Sequence, residues 1–139
     1  MQWMILPFRR YADFAGRSRR KEYWMFQLLN ALVVVIAMFI AAATDPGPDA
    51  FGQAQGPSTI GSIVFILLGL YVLAAFIPWI AVEVRRYHDQ GKPGYYWFWR
   101  LFPGIGGLIV LYFMCQRGTY GENEYGEDPL NPGVSGVFD

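Results

Sequence analysis

Three apolar stretches, separated by polar and glycine-rich segments, dominate the chain. They run from about residue 23 to 43, from about 60 to 84 and from about 95 to 115. A helix of about 20 apolar residues crosses roughly 30 Å of hydrocarbon, because each residue adds 1.5 Å. The pattern therefore predicts an all-α membrane protein with three transmembrane helices, and a chain of 139 residues is expected to be one domain, 1–139.

The third apolar stretch is less regular than the other two. It contains a charge, Arg100, and Pro103-Gly104 interrupts its middle. One interpretation is a kinked helix that crosses fully, with Arg100 reaching back to the nearer membrane surface. The other is a re-entrant hairpin that turns at Pro103-Gly104, whose backbone groups would need protein cover. The length of the stretch favours the kinked helix.

Basic residues are unevenly distributed among the segments that join these stretches. Six precede the first stretch and three lie in the loop after the second, whereas residues 44–58 have none. The positive-inside rule then predicts a multi-pass protein with a cytoplasmic N-terminus, and the side of the C-terminal tail depends on whether the third stretch crosses. The nine cations are Arg9, Arg10, Arg17, Arg19, Arg20, Lys21, Arg85, Arg86 and Lys92.

The two ends of the chain differ in composition. The first 15 residues alternate aromatic and basic side chains, which predicts a segment at the bilayer interface in contact with anionic lipids. Packing of the same segment on the domain as an amphipathic leader is an equal alternative. Residues 116–139 are rich in glycine, proline, asparagine and acid, which predicts a tail of consecutive turns. Their acids do not match the calcium-loop spacing, so we expect no calcium site.

Composition narrows the classes of function. Hydrophobic residues make up 54% of the chain and charged residues 16%, against roughly 25% charged in soluble domains. The one cysteine, Cys115, excludes an intrachain disulfide and a cysteine-based metal site. The chain has no phosphate-binding loop, dinucleotide fingerprint or catalytic motif, so we expect no cofactor and no enzymatic activity. The arginines lie where topology already needs them, so nothing indicates nucleic-acid binding.

Polar side chains inside the apolar stretches are candidate interaction sites. Gln27 and Asn30 are three residues apart and lie on one helical face. We expect both amides to hydrogen-bond to another helix, because that is their least costly arrangement in lipid. The alternative is that they line a polar path together with Arg100.

Charged residues and glycines are concentrated in three motifs. The first precedes the first apolar stretch, the second follows the second stretch, and the third begins the tail. We expect all of them to be structural or interaction residues. They are Gly16, Arg17, Arg20, Glu22, Tyr23 and Trp24; Arg85, Arg86, His88, Asp89, Gly91 and Gly94; and Gly118, Thr119, Gly121, Asn123, Tyr125, Gly126, Asp128 and Pro129.

The central motif contains the only histidine. His88 and Asp89 suit acid–base chemistry by type, but neighbouring helical residues do not face each other and no nucleophile accompanies them. We therefore expect them to cap the second helix and to pin a turn at Gly91. The basic cluster is also expected to form a clamp between the first two helices by pairing with Glu22, Glu83 and Asp89.

These three motifs, in this order, resemble the family known as domain of unknown function 805. Its central motif, Arg-Arg-x-His-Asp-x-Gly-x-x-Gly, matches Arg85 to Gly94. Minor departures are Tyr87, where leucine is common, and Lys92 or Pro93, where serine is common. The resemblance implies a small protein of the bacterial inner membrane and implies no activity.

Two functions remain open from the sequence. The first is a non-enzymatic accessory subunit or adaptor that packs against another membrane protein through small residues of the third stretch and aromatic residues near Tyr95. The alternative is an oligomeric transporter, channel or lipid-handling protein. The partners predicted are anionic lipids at the cytoplasmic face and a membrane-protein complex.

Overall fold

Helices account for nearly all the regular structure in the computed structural model, which describes residues 2–53 and 55–131. Helix α1 is Gln2–Arg9, α2 is Arg20–Ala43 and α3 is Thr59–His88. A 3₁₀ helix, Gly94–Leu101, then precedes α4, which is Gly106–Cys115. The predicted all-α class is confirmed for the described residues, while the end of the predicted tail, residues 132–139, lies outside them.

Helices α2 and α3 are long and apolar enough to cross a membrane. Only 11% of the most apolar part of each is buried within the described protein. A core helix of a soluble protein would bury most of that surface, so these helices fit a hydrocarbon surrounding instead. The first two predicted spans therefore correspond to α2 and α3.

The third apolar stretch does not form one long helix. It forms the 3₁₀ helix and α4, and α4 has 10 residues, so its length of roughly 15 Å is about half the hydrocarbon thickness. The break falls at Phe102–Ile105, with Gly104 at a positive φ of 84°. The position of the break was predicted, but the full crossing that the length favoured is not confirmed.

Local sequence explains where α3 begins and ends. The Ser58 hydroxyl accepts a hydrogen bond from the Gly61 amide at 2.9 Å, which caps the N-terminus. At the other end, Gly91 takes a positive φ of 66°. The amide of Gly91 donates to the His88 carbonyl and that of Lys92 donates to the Tyr87 carbonyl, both at 3.0 Å. This is a Schellman ending, and it places the turn at Gly91, as expected.

The described chain divides into two compact units. One is Leu28–Phe76, and the other contains the described residues on either side of it. In the Leu28–Phe76 unit the Tyr71 hydroxyl donates a hydrogen bond of 3.0 Å to the Asn30 side chain. The expected hydrogen bond between Asn30 and another helix is therefore present, with Asn30 as the acceptor. The prediction of a single domain for the whole chain stays a prediction.

The other unit has a core built mostly from aromatic side chains. Phe8 of α1 meets Phe26 edge-on at 5.4 Å, and Tyr87 meets Phe113 in the same manner at 5.9 Å. Tyr23, Val82, Val110 and Met114 complete the buried cluster. Helix α1 is thus docked on the core through Phe8, which agrees with the leader alternative for the N-terminal segment.

Close packing between the 3₁₀ helix and α4 requires a glycine at position 106. A Cβ atom there would lie 2.4 Å from the Trp99 carbonyl oxygen and 3.0 Å from that of Arg100. Both are backbone atoms, so the clash cannot be relieved by rotating a side chain. A Cβ at the neighbouring Gly107 would meet nothing within 4 Å.

We predict that Gly106→Ala destabilises the fold by about 1–3 kcal/mol, because the backbone must shift to admit the methyl group. Gly107→Ala is the matched control and is expected to be neutral or slightly stabilising. Thermal unfolding of both variants in the same detergent measures the difference. Equal melting temperatures for the two would show that the 3₁₀ helix and α4 are not packed in this way.

Candidate functional site: a buried ion-pair network

Asp89 lies at the centre of a network of buried charges. Arg17 Nε donates to Asp89 Oδ1 at 3.0 Å, and Arg86 Nη1 donates to Asp89 Oδ2. The three side chains are 7% exposed or less. Burial raises the pKa of Asp89, while the two arginines act against that rise. The arrangement joins the segment before α2 to the residue after α3.

Arg17 also binds the C-terminal tail. Its Nη2 donates to the Thr119 carbonyl at 2.5 Å, and its Nη1 donates to the carbonyls of Gly121 at 2.5 Å and Gly126 at 3.3 Å. A guanidinium carries five N–H donors in a rigid fork, so it is suited to several carbonyls at once. One buried arginine thereby links the first and third motifs.

The tail forms the predicted turns over its described part. Asn123 and Gly126 exchange backbone hydrogen bonds of 3.1 and 2.9 Å, with Gly126 at a φ of 121°. The Asp128 carboxylate accepts from the Leu130 amide at 2.8 Å, and Pro129 follows Asp128. The Thr119 amide donates to the Asp89 carbonyl at 2.8 Å, so the turns are attached to the central motif.

Gly118 makes the closest approach to the network. A Cβ atom at this position would lie 2.2 Å from Asp89 Oδ2. Because two buried arginines hold the Asp89 carboxylate, it has little freedom to move away. The glycine is therefore a steric requirement of the ion pairs. Gly94 similarly faces Val84, whose Cγ1 would be 2.9 Å from an added Cβ.

His88 makes structural contacts rather than pairing with Asp89. Its Nδ1 lies 3.3 Å from the Gly16 carbonyl oxygen, and its ring stacks on Tyr125 with centroids 4.0 Å apart and planes at 3°. The Asn123 side-chain amide donates to the His88 carbonyl at 3.0 Å. All three motifs thus meet around the end of α3.

A second ion pair joins α2 and α3. Arg85 Nη2 donates to Glu22 Oε1 at 3.1 Å, and both side chains are buried. Asp13 lies 3.8 Å from Arg85 and bonds Arg10, whose hydrogen bond lowers the pKa of Asp13. The Ser18 amide donates to the Arg85 carbonyl at 3.1 Å. The expected clamp is present for Glu22 and Asp89.

Glu83 has a different partner from the one expected. It pairs with Arg100 at 2.7 Å and not with the arginines of the basic cluster. Arg100 also lies over the Trp79 ring at 4.4 Å. The charge of Arg100 is thus compensated within the protein by a carboxylate and an aromatic ring of α3.

The remaining predicted residues lie at the start of α2. The Gln27 side chain donates to the Tyr23 hydroxyl at 3.1 Å, so its partner is on its own helix. Trp24 is exposed and meets Tyr23 edge-on at 5.4 Å. Arg20 is exposed and donates to the Cys115 carbonyl at 3.4 Å. Gln27 and Arg100 therefore each have a separate partner.

Sequence reasoning did not identify three of these contacts. They are the binding of tail carbonyls by Arg17, the stacking of Tyr125 on His88, and the pair between Glu83 and Arg100. The sequence did offer a signal for the last of these contacts. Glu83 is the one charged residue in the second apolar stretch and Arg100 is the one in the third, and their charges are opposite. The other two contacts depend on the path of the tail, and no pair of opposite charges in the sequence indicates that path.

We predict that Asp89→Asn destabilises the protein by about 3–5 kcal/mol, because it leaves Arg17 and Arg86 buried without a compensating charge. The exposed Glu127 offers the matched control, and Glu127→Gln is expected to change stability by less than about 0.5 kcal/mol. Thermal unfolding in detergent reads out both variants. A stable Asp89→Asn protein would mean that the arginines do not depend on this carboxylate.

Comparisons with known proteins match the part of the chain that contains the three motifs. The chain is 39% identical to the inner membrane protein YhaI of Escherichia coli over 129 residues, which cover 93% of this chain and 96% of the relative. It is also 39% identical to the inner membrane protein YhaH of the same species over 129 residues, with 93% and 97% covered. No solved structure matches. The profile of the family described as protein of unknown function (DUF805) matches residues 11–127, and this chain is a membrane protein that belongs to that family.

Proposed function

We propose that the protein is a non-enzymatic accessory subunit or adaptor of the bacterial inner membrane, which packs against another membrane protein. The observation that carries the proposal is that the charged residues of the first two motifs bind one another, while Arg17 also binds backbone carbonyls of the third. Arg17, Arg86 and Asp89 form one buried group, and Arg85 pairs with Glu22. Residues that pair with one another hold the fold together, and an adaptor needs a fixed fold that offers its partner a defined surface.

The environment of His88 supports the same proposal. A general base needs a ring nitrogen directed at a substrate. The Nδ1 atom of His88 faces the Gly16 carbonyl, and the ring is covered by Tyr125. The adjacent carboxylate, Asp89, is held by two arginines. Both groups are therefore explained by the packing of the three motifs.

The outward face of the 3₁₀ helix is our candidate for the partner contact. Tyr95 is 67% exposed and Phe98 is 58% exposed, whereas Tyr96 and Trp97 pack on the core. An apolar surface with glycines close to exposed aromatic rings suits packing against a membrane helix, because small residues let two helices approach closely. Gly104 and Gly107 are the nearby glycines, and an added Cβ at either would meet nothing within 4 Å.

Transport, the alternative function, is not supported by the contacts of its candidate residues. A polar path would need Gln27, Asn30 and Arg100 to present free polar groups. Each has a partner instead, in Tyr23, Tyr71 and Glu83 respectively. We therefore do not propose transport.

We propose a topology with two crossings, by α2 and α3, and a cytoplasmic N-terminus, in keeping with the positive-inside rule. The hydrogen bonds from Arg17 to the carbonyls of Thr119 and Gly121 support this topology, because they join the tail to the segment before α2. In this arrangement the short helix α4 does not carry the chain across the bilayer.

Reporter fusions test this topology. We expect a green fluorescent protein to fluoresce at either terminus, because both termini are cytoplasmic. Alkaline phosphatase is expected to be active only when inserted in the loop at residues 44–58, which lacks lysine and arginine. An active alkaline phosphatase at the C-terminus would mean that the third apolar stretch crosses the membrane.

Extraction at native expression level, followed by mass spectrometry, tests the adaptor proposal. We expect a membrane protein to co-purify in stoichiometric amount, and we expect Tyr95→Ala with Phe98→Ala to release it. Phe39→Ala is the control, because Phe39 is at least as exposed as Tyr95 and Phe98 but lies in the Leu28–Phe76 unit. Recovery of the wild type alone, or equal loss of the partner in the control, would contradict the proposed contact.

A further inference from the structure

A cavity of about 610 Å³ lies beside the start of α2. Its volume falls in the range of roughly 300–1,000 Å³ that is usual for small-molecule sites. Four cations from two distant segments line it: Arg19, Arg20 and Lys21 precede or begin α2, and Arg117 comes from the tail. The docking of the tail, which the ion-pair network maintains, is what brings Arg117 to the same cavity.

The two acidic residues that line this cavity already have hydrogen-bond partners within the protein. Asp89 binds Arg17 and Arg86, so its charge is compensated away from the four cations. Asp128 is 5% exposed and accepts from the backbone amides of Gly121 and Leu130. The cavity therefore has an excess of positive charge that the described residues do not neutralise.

Two further features surround these cations: the Trp3 ring, and the start of α2, which adds to the positive potential at the cavity. Arg19 and Lys21 lie over the ring of Trp3, at 5.2 and 5.9 Å from its centroid. The first turn of α2 adds amide N–H groups without intrahelical acceptors and the positive end of the helix dipole. None of Arg19, Lys21 and Arg117 forms an ion pair with the residues that the structure describes.

We propose that this cavity binds a phosphate group, and that the group belongs to the headgroup of an anionic phospholipid. Guanidinium groups match the geometry of phosphate oxygens, and several cations together compensate its charge. The cavity lies where the apolar helix α2 begins, next to the exposed Trp24, and this is the depth at which headgroups lie in a bilayer. A soluble phosphate compound has the same chemistry and is separated from the lipid by experiment.

The proposal goes beyond the adaptor role and does not depend on it. A headgroup site would fix the depth and rotation of the protein at the membrane surface whether or not a protein partner binds. Failure to find a partner leaves the lipid measurement unaffected, and failure to bind lipid leaves the co-purification unaffected.

Native mass spectrometry of the full chain in a neutral detergent measures binding, with short-chain phosphatidylglycerol and phosphatidylcholine as probes. We expect one phosphatidylglycerol to bind in preference to phosphatidylcholine. The double variant Lys21→Gln with Arg117→Gln is expected to weaken phosphatidylglycerol binding about 30-fold, since each surface cation contributes about fivefold. Both side chains are exposed, so the fold is expected to survive, and thermal unfolding checks this.

The matched control is Arg9→Gln with Lys92→Gln, which removes the same net charge from positions outside the cavity. An equal loss of affinity in this control would overturn the proposal, because the attraction would then be a diffuse effect of charge. Equal affinity of the wild type for the two lipids, with no competition by inorganic phosphate, would overturn it as well. Binding of inorganic phosphate as tightly as phosphatidylglycerol would support the phosphate site and assign it to a soluble ligand.

Discussion

The need to compensate buried charge governs the arrangement of the three motifs. Arg17, Arg85 and Arg86 are almost completely withdrawn from solvent, and an unpaired ion in such a position costs several kcal/mol. Each arginine therefore requires a carboxylate or several carbonyls within hydrogen-bond distance. Asp89 and Glu22 supply the carboxylates, and the tail supplies the carbonyls. The motifs are far apart in sequence but form one set of donors and acceptors.

This requirement also explains residues that carry no charge. Gly91 ends α3 with a left-handed turn two residues after Asp89, so the helix stops directly after the residue that binds the arginines. Gly118 lets the tail pass directly over the Asp89 carboxylate, where any side chain would collide with it. The two glycines therefore serve the ion pairs, one by conformation and the other by the absence of a Cβ atom.

Sequence alone predicts the parts of this protein that depend on local pattern. The lengths of the apolar stretches predict α2 and α3, and Pro103-Gly104 predicts the break in the third stretch. The glycine- and asparagine-rich tail predicts the turn at Asn123. The contacts of Arg17 with the tail and of Glu83 with Arg100 were not predictable, because they join residues whose distance depends on the whole fold. Opposite charge limits which residues can pair with a buried arginine or glutamate, but it does not identify the one that does.

The polar network also supplies specificity that apolar packing in a membrane does not. Lipid tails are as apolar as leucine, so helices gain little from burying apolar side chains against one another rather than against lipid. Helices α2 and α3 accordingly leave most of their apolar surface outside the protein. A displaced arrangement of the segments around Asp89 would break several charge-assisted hydrogen bonds at once, because each arginine has one set of partners. The motifs are thus best understood as the part of the sequence that selects one arrangement among many of similar apolar packing energy.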